Sequence, residues 1–171
     1  GLAIVESKRW LRPLDRRSGR IGEETAPSTQ MLRYLRRCDN LTSGKLSWGI
    51  LTNGDQWRLY YQGADSVAEQ FFQLSLRQIL GLDSNDANPA EFSESESNHY
   101  LRVFCLVFRQ AAFVNFGGES QTFHQKAINE AKLYEERVAS NLSSLVFESA
   151  FPKLATAIFN AVPTANYEEI R

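Results

Sequence analysis

The stretch SWGILTNGDQWRLYYQ, from Ser47 to Gln62, most constrains how this chain can fold. Two runs rich in β-branched and aromatic residues flank the dipeptide Asn53-Gly54. This dipeptide favours the two-residue turns that join antiparallel strands, because both residues tolerate positive φ angles. The sequence therefore predicts a β-hairpin, and the rest of the fold has to include an antiparallel strand pair.

The segments on either side of the hairpin show further strand and helix patterns. Apolar runs predict one strand over Leu2–Ser7 and another over Glu69–Leu74. A helix is predicted from Ser28, as N-cap, to about Cys38, with apolar residues at helical spacing, namely Met31, Leu32, Leu35 and Cys38. We therefore expect an α/β (α+β) fold in which helices flank a mixed β-sheet.

Short polar signals mark the end of this first region. Ser75 and Gln78 have the spacing of a capping box at the start of a short helix, and Gly81 closes that helix. The segment Asp83–Ser97 then contains five acidic residues and no basic residue, which predicts a solvated linker. The predicted organisation is an α/β domain over 1–82, a linker over 83–97 and a helical region over 98–171.

The helical region is predicted from its apolar periodicity. The segment His99–Phe113 is apolar nearly all round, so we expect neighbouring elements to bury it. A long helix starting near Phe123 follows, and Pro152 is expected to start or kink a last helix. No run approaches the roughly 18 apolar residues of a membrane span, and the three tryptophans are expected in the core or half-buried.

Candidate functional residues lie on the first strand and the first helix. Glu6 and Lys8 stand two residues apart at the strand end, so their side chains share one face of the sheet. Gln30 and Tyr34 share a helix face at i, i+4 spacing. The first 40 residues contain nine basic and five acidic residues, and eight of the nine basic residues are arginines, which favours binding of phosphate groups.

Together these features resemble a known superfamily. The motif Glu6-Ser7-Lys8, the helix motif Q-x-x-x-Y at Gln30–Tyr34 and the segment GILTNGDQWRLYY resemble the PD-(D/E)XK nucleases of the RecB-like branch. With the arginine-rich loop, the arrangement is most similar to the nuclease part and helical linker of type IIG restriction–modification enzymes. The resemblance covers about Leu2 to Leu82.

The resemblance implies a restriction-endonuclease-like sheet and a set of site residues. Glu6 and the backbone carbonyl of Ser7 would hold Mg²⁺ or Mn²⁺, and Lys8, Gln30 and Tyr34 would complete the catalytic site. Double-stranded DNA would be the partner, and its backbone would contact six arginines, namely Arg9, Arg12, Arg16, Arg17, Arg33 and Arg37. No cofactor-binding residue is assigned, since S-adenosylmethionine would bind only to a methyltransferase region of the parent chain. That methyltransferase region and the target-recognition region of the parent chain would be further partners.

One part of the family pattern is missing. The superfamily has a metal-binding aspartate upstream of the E-x-K motif, whereas Gly1–Val5 contains no acid. We therefore expect a nuclease domain that is incomplete at its N-terminus and inactive by itself, from a cytoplasmic, Mg²⁺-dependent type II restriction endonuclease without membrane contact. The alternative is a catalytically inactive, nuclease-like module that binds DNA or another partner.

Overall fold

A computed structural model describes residues 3–22, 24–82, 91–115 and 120–161 of the chain. The chain divides into two units, Gly1–Phe123 and His124–Arg171. The elements of the first unit are β1 (Ile4–Ser7), α1 (Pro27–Leu41), β2 (Trp48–Thr52), β3 (Gln56–Tyr61), β4 (Phe71–Ser75), α2 (Leu76–Ile79), α3 (Glu94–Phe108) and a 3₁₀ turn (Gln110–Phe113). A helical run follows, made of α4 (Phe123–Ser144), a π-helical segment (Leu145–Ala150) and α5 (Phe151–Ala161).

The four strands form one mixed sheet in the order β1-β2-β3-β4. β1 and β2 are parallel, whereas β2–β3 and β3–β4 are antiparallel. Parallel neighbours need a crossover connection, and α1 provides it between β1 and β2. The predicted mixed sheet with flanking helices is confirmed at this level, and within the described residues β1 is an edge strand.

Each face of the sheet carries its own apolar cluster. On one face, Met31 and Leu35 of α1 pack with Leu14, Leu51 and Tyr60. On the other face, the cluster contains Ile50, Leu59, Ala112 and Phe113, with Trp57, Val107 and Phe108 against it. The sheet is therefore the middle of three layers in the first unit, between α1 and α3.

The predicted hairpin is confirmed, but its turn lies one residue later than predicted. Thr52 pairs with Trp57, and the Asn53 N–H donates to the Gln56 carbonyl, so the central residues are Gly54 and Asp55. Asn53 is buried, and its side-chain amide donates to the Arg12 carbonyl over 2.8 Å. The buried asparagine side chain bonds a distant loop, so Gly54, with φ of 88°, takes the first turn position.

The helix boundaries differ in part from those predicted. Ala26 is the N-cap of α1 and Pro27 is its first residue, so the assignment of Ser28 as N-cap was wrong. Proline suits this position because its missing N–H would have no helical partner there. The predicted short helix is confirmed as α2, since Ser75 is its N-cap and accepts a hydrogen bond from the Gln78 N–H, and Gly81 after it has a positive φ. The predicted capping box is only half formed, because the Gln78 side-chain amide donates to Glu91 over 2.8 Å.

Helix α3 differs from its prediction in two ways. It begins at Glu94, inside the predicted linker, because Ser93 and Glu96 form a capping box and two acids favour its first turn. None of its residues is fully buried within the described part of the chain, and the side with Phe104, Val107 and Phe108 packs on the sheet. The linker residues 83–90 lie outside the described residues, so the predicted division into domains stays a prediction.

The second unit is described over a helical run. α4 leads into the π-helical segment, where the Phe151 N–H donates to the Val146 carbonyl. α5 then begins at Phe151, which confirms a last helix at Pro152. The sequence also predicts a break in the chain at Gly117-Gly118, and these two residues lie outside the described part of the chain. By length and composition alone, helix Phe123–Asn160 is a candidate membrane span, which was not expected from the sequence and is weak evidence by itself.

Arg58 on β3 ties the arginine-rich loop to the sheet. Its side chain is buried, and its Nη1 and Nη2 atoms each donate to the Asp15 carboxylate over 2.7 Å. Its Nε donates to Gln73 over 2.6 Å, and its guanidinium lies 4.5 Å from the ring centre of Phe71. The hydrogen bonds from Arg58 lower the pKa of the Asp15 carboxyl group, although partial burial opposes this effect.

We expect Asp15→Asn to lower the free energy of unfolding at pH 7 by about 1 kcal/mol, a modest value because solvent screens the half-exposed carboxylate. A carboxyl group with a lowered folded pKa stabilises the protein above its unfolded pKa of about 3.9, and this contribution is lost as the pH falls through the folded value. The difference between wild type and variant should therefore shrink below about pH 4 in urea titrations.

The control for this prediction is Asp65→Asn, which removes an exposed carboxylate from a loop of the same unit. It should change the stability by less than about 0.5 kcal/mol at any pH. A constant Asp15→Asn effect between pH 3 and pH 7 would show that the loss does not come from the charge pair with Arg58.

Candidate catalytic site

The site begins where β1 ends. Ile4 and Glu6 face the α1 side of the sheet, because alternate residues of a strand point to the same face and Ile4 packs with the α1 cluster. After the last strand residue, the Lys8 N–H donates to the Thr52 carbonyl over 2.8 Å. This bond holds the chain beside β2 for one more residue, so Lys8 remains near Glu6.

The four residues predicted for the site form one continuous hydrogen-bonded chain. Lys8 Nζ donates to Glu6 Oε1 over 2.5 Å and to Gln30 Oε1 over 2.7 Å. Gln30 Nε2 then donates to the Tyr34 hydroxyl over 2.8 Å. Residues that are 22 positions apart in the sequence, Lys8 and Gln30, are thus in direct contact.

Helix α1 positions Gln30 and Tyr34 because the residue that follows each of them packs into the core. Met31 and Leu35 are fully buried, and a Cβ atom at Gly49 would lie only 2.8 Å from the Met31 Sδ atom. The absence of a side chain at Gly49 therefore permits the close approach of α1 to the sheet. Gln30 and Tyr34, one residue before Met31 and Leu35, are then held beside β1.

The side chains of the site change from half-buried to exposed along the series of hydrogen bonds from Glu6 to Tyr34. The Lys8 and Glu6 side chains are 13% and 24% exposed, whereas Tyr34 lies at the surface. An ammonium group in this setting is partly desolvated, so its attraction to the Glu6 carboxylate is stronger than that of a surface pair. The arrangement presents one positive group and one carboxylate at the end of a sheet, open toward solvent on the Tyr34 side.

The donor types fit a hard divalent cation, although their number is small. The Glu6 carboxylate and the backbone carbonyl of Ser7 are oxygen donors of the kind that Mg²⁺ prefers. Among the described residues, no group of three or more His, Cys, Asp or Glu side chains stands close enough together to hold a metal ion. Glu6 and Ser7 would therefore need a further acid to complete such a site.

The six predicted DNA-contacting arginines do not share one environment. Arg9, Arg16, Arg17, Arg33 and Arg37 are exposed, and Arg33 and Arg37 lie one turn apart on α1. Arg12 is only 4% exposed, and its Nη2 atom donates to the Thr25 carbonyl over 3.4 Å. Because Arg12 is buried within the loop, its guanidinium supports the loop and is not presented to a ligand.

The hairpin turn holds the residues after Lys8, a contact that was not predicted from the sequence. The Leu11 N–H donates to the Asn53 carbonyl over 3.1 Å, and Leu11 adopts a positive φ of 55°. Trp10 covers Gly54, where a Cβ atom would lie 2.4 Å from the indole ring. Trp10 is 58% exposed, which is more than the core or half-buried position predicted for it. The glycine at the turn was the sequence feature that could have indicated this contact, since a residue without a side chain permits close approach of a large ring.

Comparison of the chain with protein-family models, with curated proteins and with solved structures gave no significant match.

The polar site should cost the fold some stability. We expect the double variant Glu6→Leu/Lys8→Met to be as stable as wild type or more stable by about 1 kcal/mol, because apolar residues replace a partly desolvated ion pair. Lys8→Met alone should destabilise by about 1–2 kcal/mol, because the Glu6 carboxylate then loses its partner in a half-buried place. Urea unfolding of the two variants measures the difference.

Arg33→Met is the matched control, because it removes a positive charge from an exposed position of the neighbouring helix. It should leave the stability within about 0.5 kcal/mol of wild type. A double variant that is less stable than Lys8→Met would mean that the ion pair holds the fold together and would contradict this prediction.

Proposed function

We propose that Glu6, Lys8, Gln30 and Tyr34 belong to the active site of a metal-dependent DNA endonuclease of the PD-(D/E)XK type. The observation that carries this proposal is the hydrogen-bonded chain Glu6–Lys8–Gln30–Tyr34, which joins a strand motif to a helix motif. Each of these two short motifs is a weak indication of a nuclease by itself, and here their side chains are in direct contact. A surface ion pair at a strand end would not require a glutamine and a tyrosine from another element.

Each residue has a chemical part in this proposal. Lys8 would place its positive charge beside the attacked phosphate and stabilise the negative charge that develops in the transition state. Gln30 would hold the Lys8 ammonium in position, and Tyr34 would orient the Gln30 amide. Glu6 and the Ser7 carbonyl would hold Mg²⁺ or Mn²⁺, which supplies charge neutralisation and activation of water when bound.

A second carboxylate has to join this site for efficient metal binding. β1 is an edge strand in the described part of the sheet, and Val5 on this strand is 63% exposed. An edge strand offers unpaired backbone groups to a further strand. We infer that an added strand beside β1 would bring the missing acid next to Glu6, and that the chain without it binds Mg²⁺ weakly.

The exposed arginines would bind the DNA backbone beside the site. Arg33 and Arg37 lie on the same helix as Gln30 and Tyr34 and follow them by three residues each. Arginine binds phosphate oxygens through a planar fork of donors and does not read base sequence by such contacts. This arrangement supports double-stranded DNA as the substrate. The proposed domain would then be the nuclease part of a type IIG-like restriction–modification protein.

The first test uses the full-length protein that carries this sequence. We expect Glu6→Gln and Lys8→Met each to reduce Mg²⁺-dependent nicking and cutting of plasmid DNA by at least about 100-fold, because each removes a charge that acts at the phosphate. Calorimetric titration with Mn²⁺ gives an independent readout, and Glu6→Gln should weaken metal binding. Glu69→Gln, at an exposed position far along the chain, is the control and should cut like wild type.

An inactive module would behave differently in the same experiment. The full-length protein would bind DNA but would not cut it with any divalent ion, and neither variant would change DNA binding. If both variants cut DNA at the wild-type rate, Glu6 and Lys8 take no part in the reaction, and the proposed active site is wrong.

The second test concerns the arginines of α1. We expect Arg33→Gln/Arg37→Gln to weaken binding equally for unrelated DNA sequences and to reduce the salt dependence of log K by about 1.8, because two phosphate contacts are lost. Fluorescence anisotropy at salt concentrations from about 50 to about 300 mM, a range over which phosphate contacts weaken strongly, measures the slope of log K against log salt concentration. Arg102→Gln, on α3 at the other face of the sheet, should leave the slope unchanged; a loss confined to one target sequence would contradict backbone contact.

A further inference from the structure

The second unit exposes an unusual amount of apolar surface. Six large side chains of the π-helical segment and α5 expose between 51% and 72% of their surface, namely Leu145, Phe147, Phe151, Leu154, Ile158 and Phe159. Tyr134, Val138 and Leu142 of α4 are also exposed. The described part of the second unit is one helical run, so it contains no second layer that could cover these residues.

The size of this surface is suited to a protein interface. An exposed large side chain presents on the order of 100 Å², so the six residues of the π-helical segment and α5 together present on the order of 600 Å². The largest apolar patch of an ordinary monomer is about 300–600 Å². A standard stable interface buries about 800 Å² on each partner, and the apolar residues of this face can supply most of that area.

The positions of charged residues argue against a lipid partner. Glu148 and Lys153 lie in the middle of the apolar segment, and a membrane span would place them near the bilayer centre at a high cost. A helix that lies on an anionic membrane surface has a polar face rich in Lys and Arg. Between Lys126 and Lys153 this helix has four basic and four acidic residues, a balance that neither attracts anionic lipid nor repels an identical helix.

We propose that the apolar face of the π-helical segment and α5 binds the same face of a second copy of this chain. Two copies of one helix form a self-complementary contact in which each residue has the same surroundings in both chains. Phe147 and Phe151 belong to this face, and their ring centres lie 5.4 Å apart. Aromatic residues at the centre of an interface commonly contribute most of its binding energy.

The test is sedimentation equilibrium of the whole chain as a function of concentration. Wild type should be dimeric at micromolar concentrations, and Phe151→Gln/Leu154→Gln/Ile158→Gln should raise the dissociation constant by about 100-fold or more, because three apolar contacts are lost. Glutamine is a good helix former, so circular dichroism should show that the helix persists. The control Lys132→Gln/Glu136→Gln, on exposed polar positions of α4, should remain dimeric.

Two alternative contacts give distinct results. If Val5→Lys, at the edge of the sheet, dissociates the dimer and the triple variant does not, the copies associate through β1 and the proposal is wrong. If wild type is monomeric at about 100 μM, a second copy is not the occupant of the apolar face. The same conclusion follows if monomeric wild type sediments with neutral or anionic phospholipid vesicles and the triple variant does not.

Hydrogen exchange of wild type provides a measurement that does not depend on any variant. Protection of the amides in 145–159 should rise with protein concentration, whereas protection in β2 and β3 should not change. Protection of 145–159 that is independent of concentration would overturn the proposal, even if the triple variant fails to fold.

Discussion

The contact of α1 with the sheet at Gly49 determines where the candidate site lies. Met31 occupies the space that a side chain at Gly49 would need, and Met31 and Leu35 are fully buried in the same cluster. A helix that approaches this closely has little freedom to slide or rotate, because its buried residues interlock with those of the sheet. Gln30 and Tyr34 therefore meet Lys8 without needing strong interactions of their own.

A second set of contacts organises the loop between β1 and α1. Arg58 on β3 holds Asp15, and the buried Asn53 at the hairpin turn holds the Arg12 carbonyl. Arg58 pairs with a carboxylate that remains largely exposed, whereas Asn53 pairs with a buried backbone carbonyl that would cost free energy without a partner. The loop that carries several exposed arginines is thereby attached to the rigid part of the sheet.

The two units differ in how much of their apolar surface is buried. In the first unit the sheet is covered on both faces, by α1 and by α3 with the 3₁₀ turn, and its central residues are buried. In the second unit the helical run leaves its apolar residues exposed. Because a helix gains most of its stability from packing of its apolar face, this surface is the part of the described residues that most needs a partner.

The sequence by itself determined the local features: the hairpin, the strands, the helix of the Q-x-x-x-Y motif and the short helix capped by Ser75, because turn residues and apolar periodicity act over a few residues. It also pointed to Glu6, Lys8, Gln30 and Tyr34 as a set. Only the tertiary structure decided that Lys8 contacts Gln30, that Arg12 is buried, that Trp10 is exposed over Gly54 and that α3 is covered on one side. These features depend on which elements pack together across the sheet, and a single sequence has no periodicity that records such distant contacts.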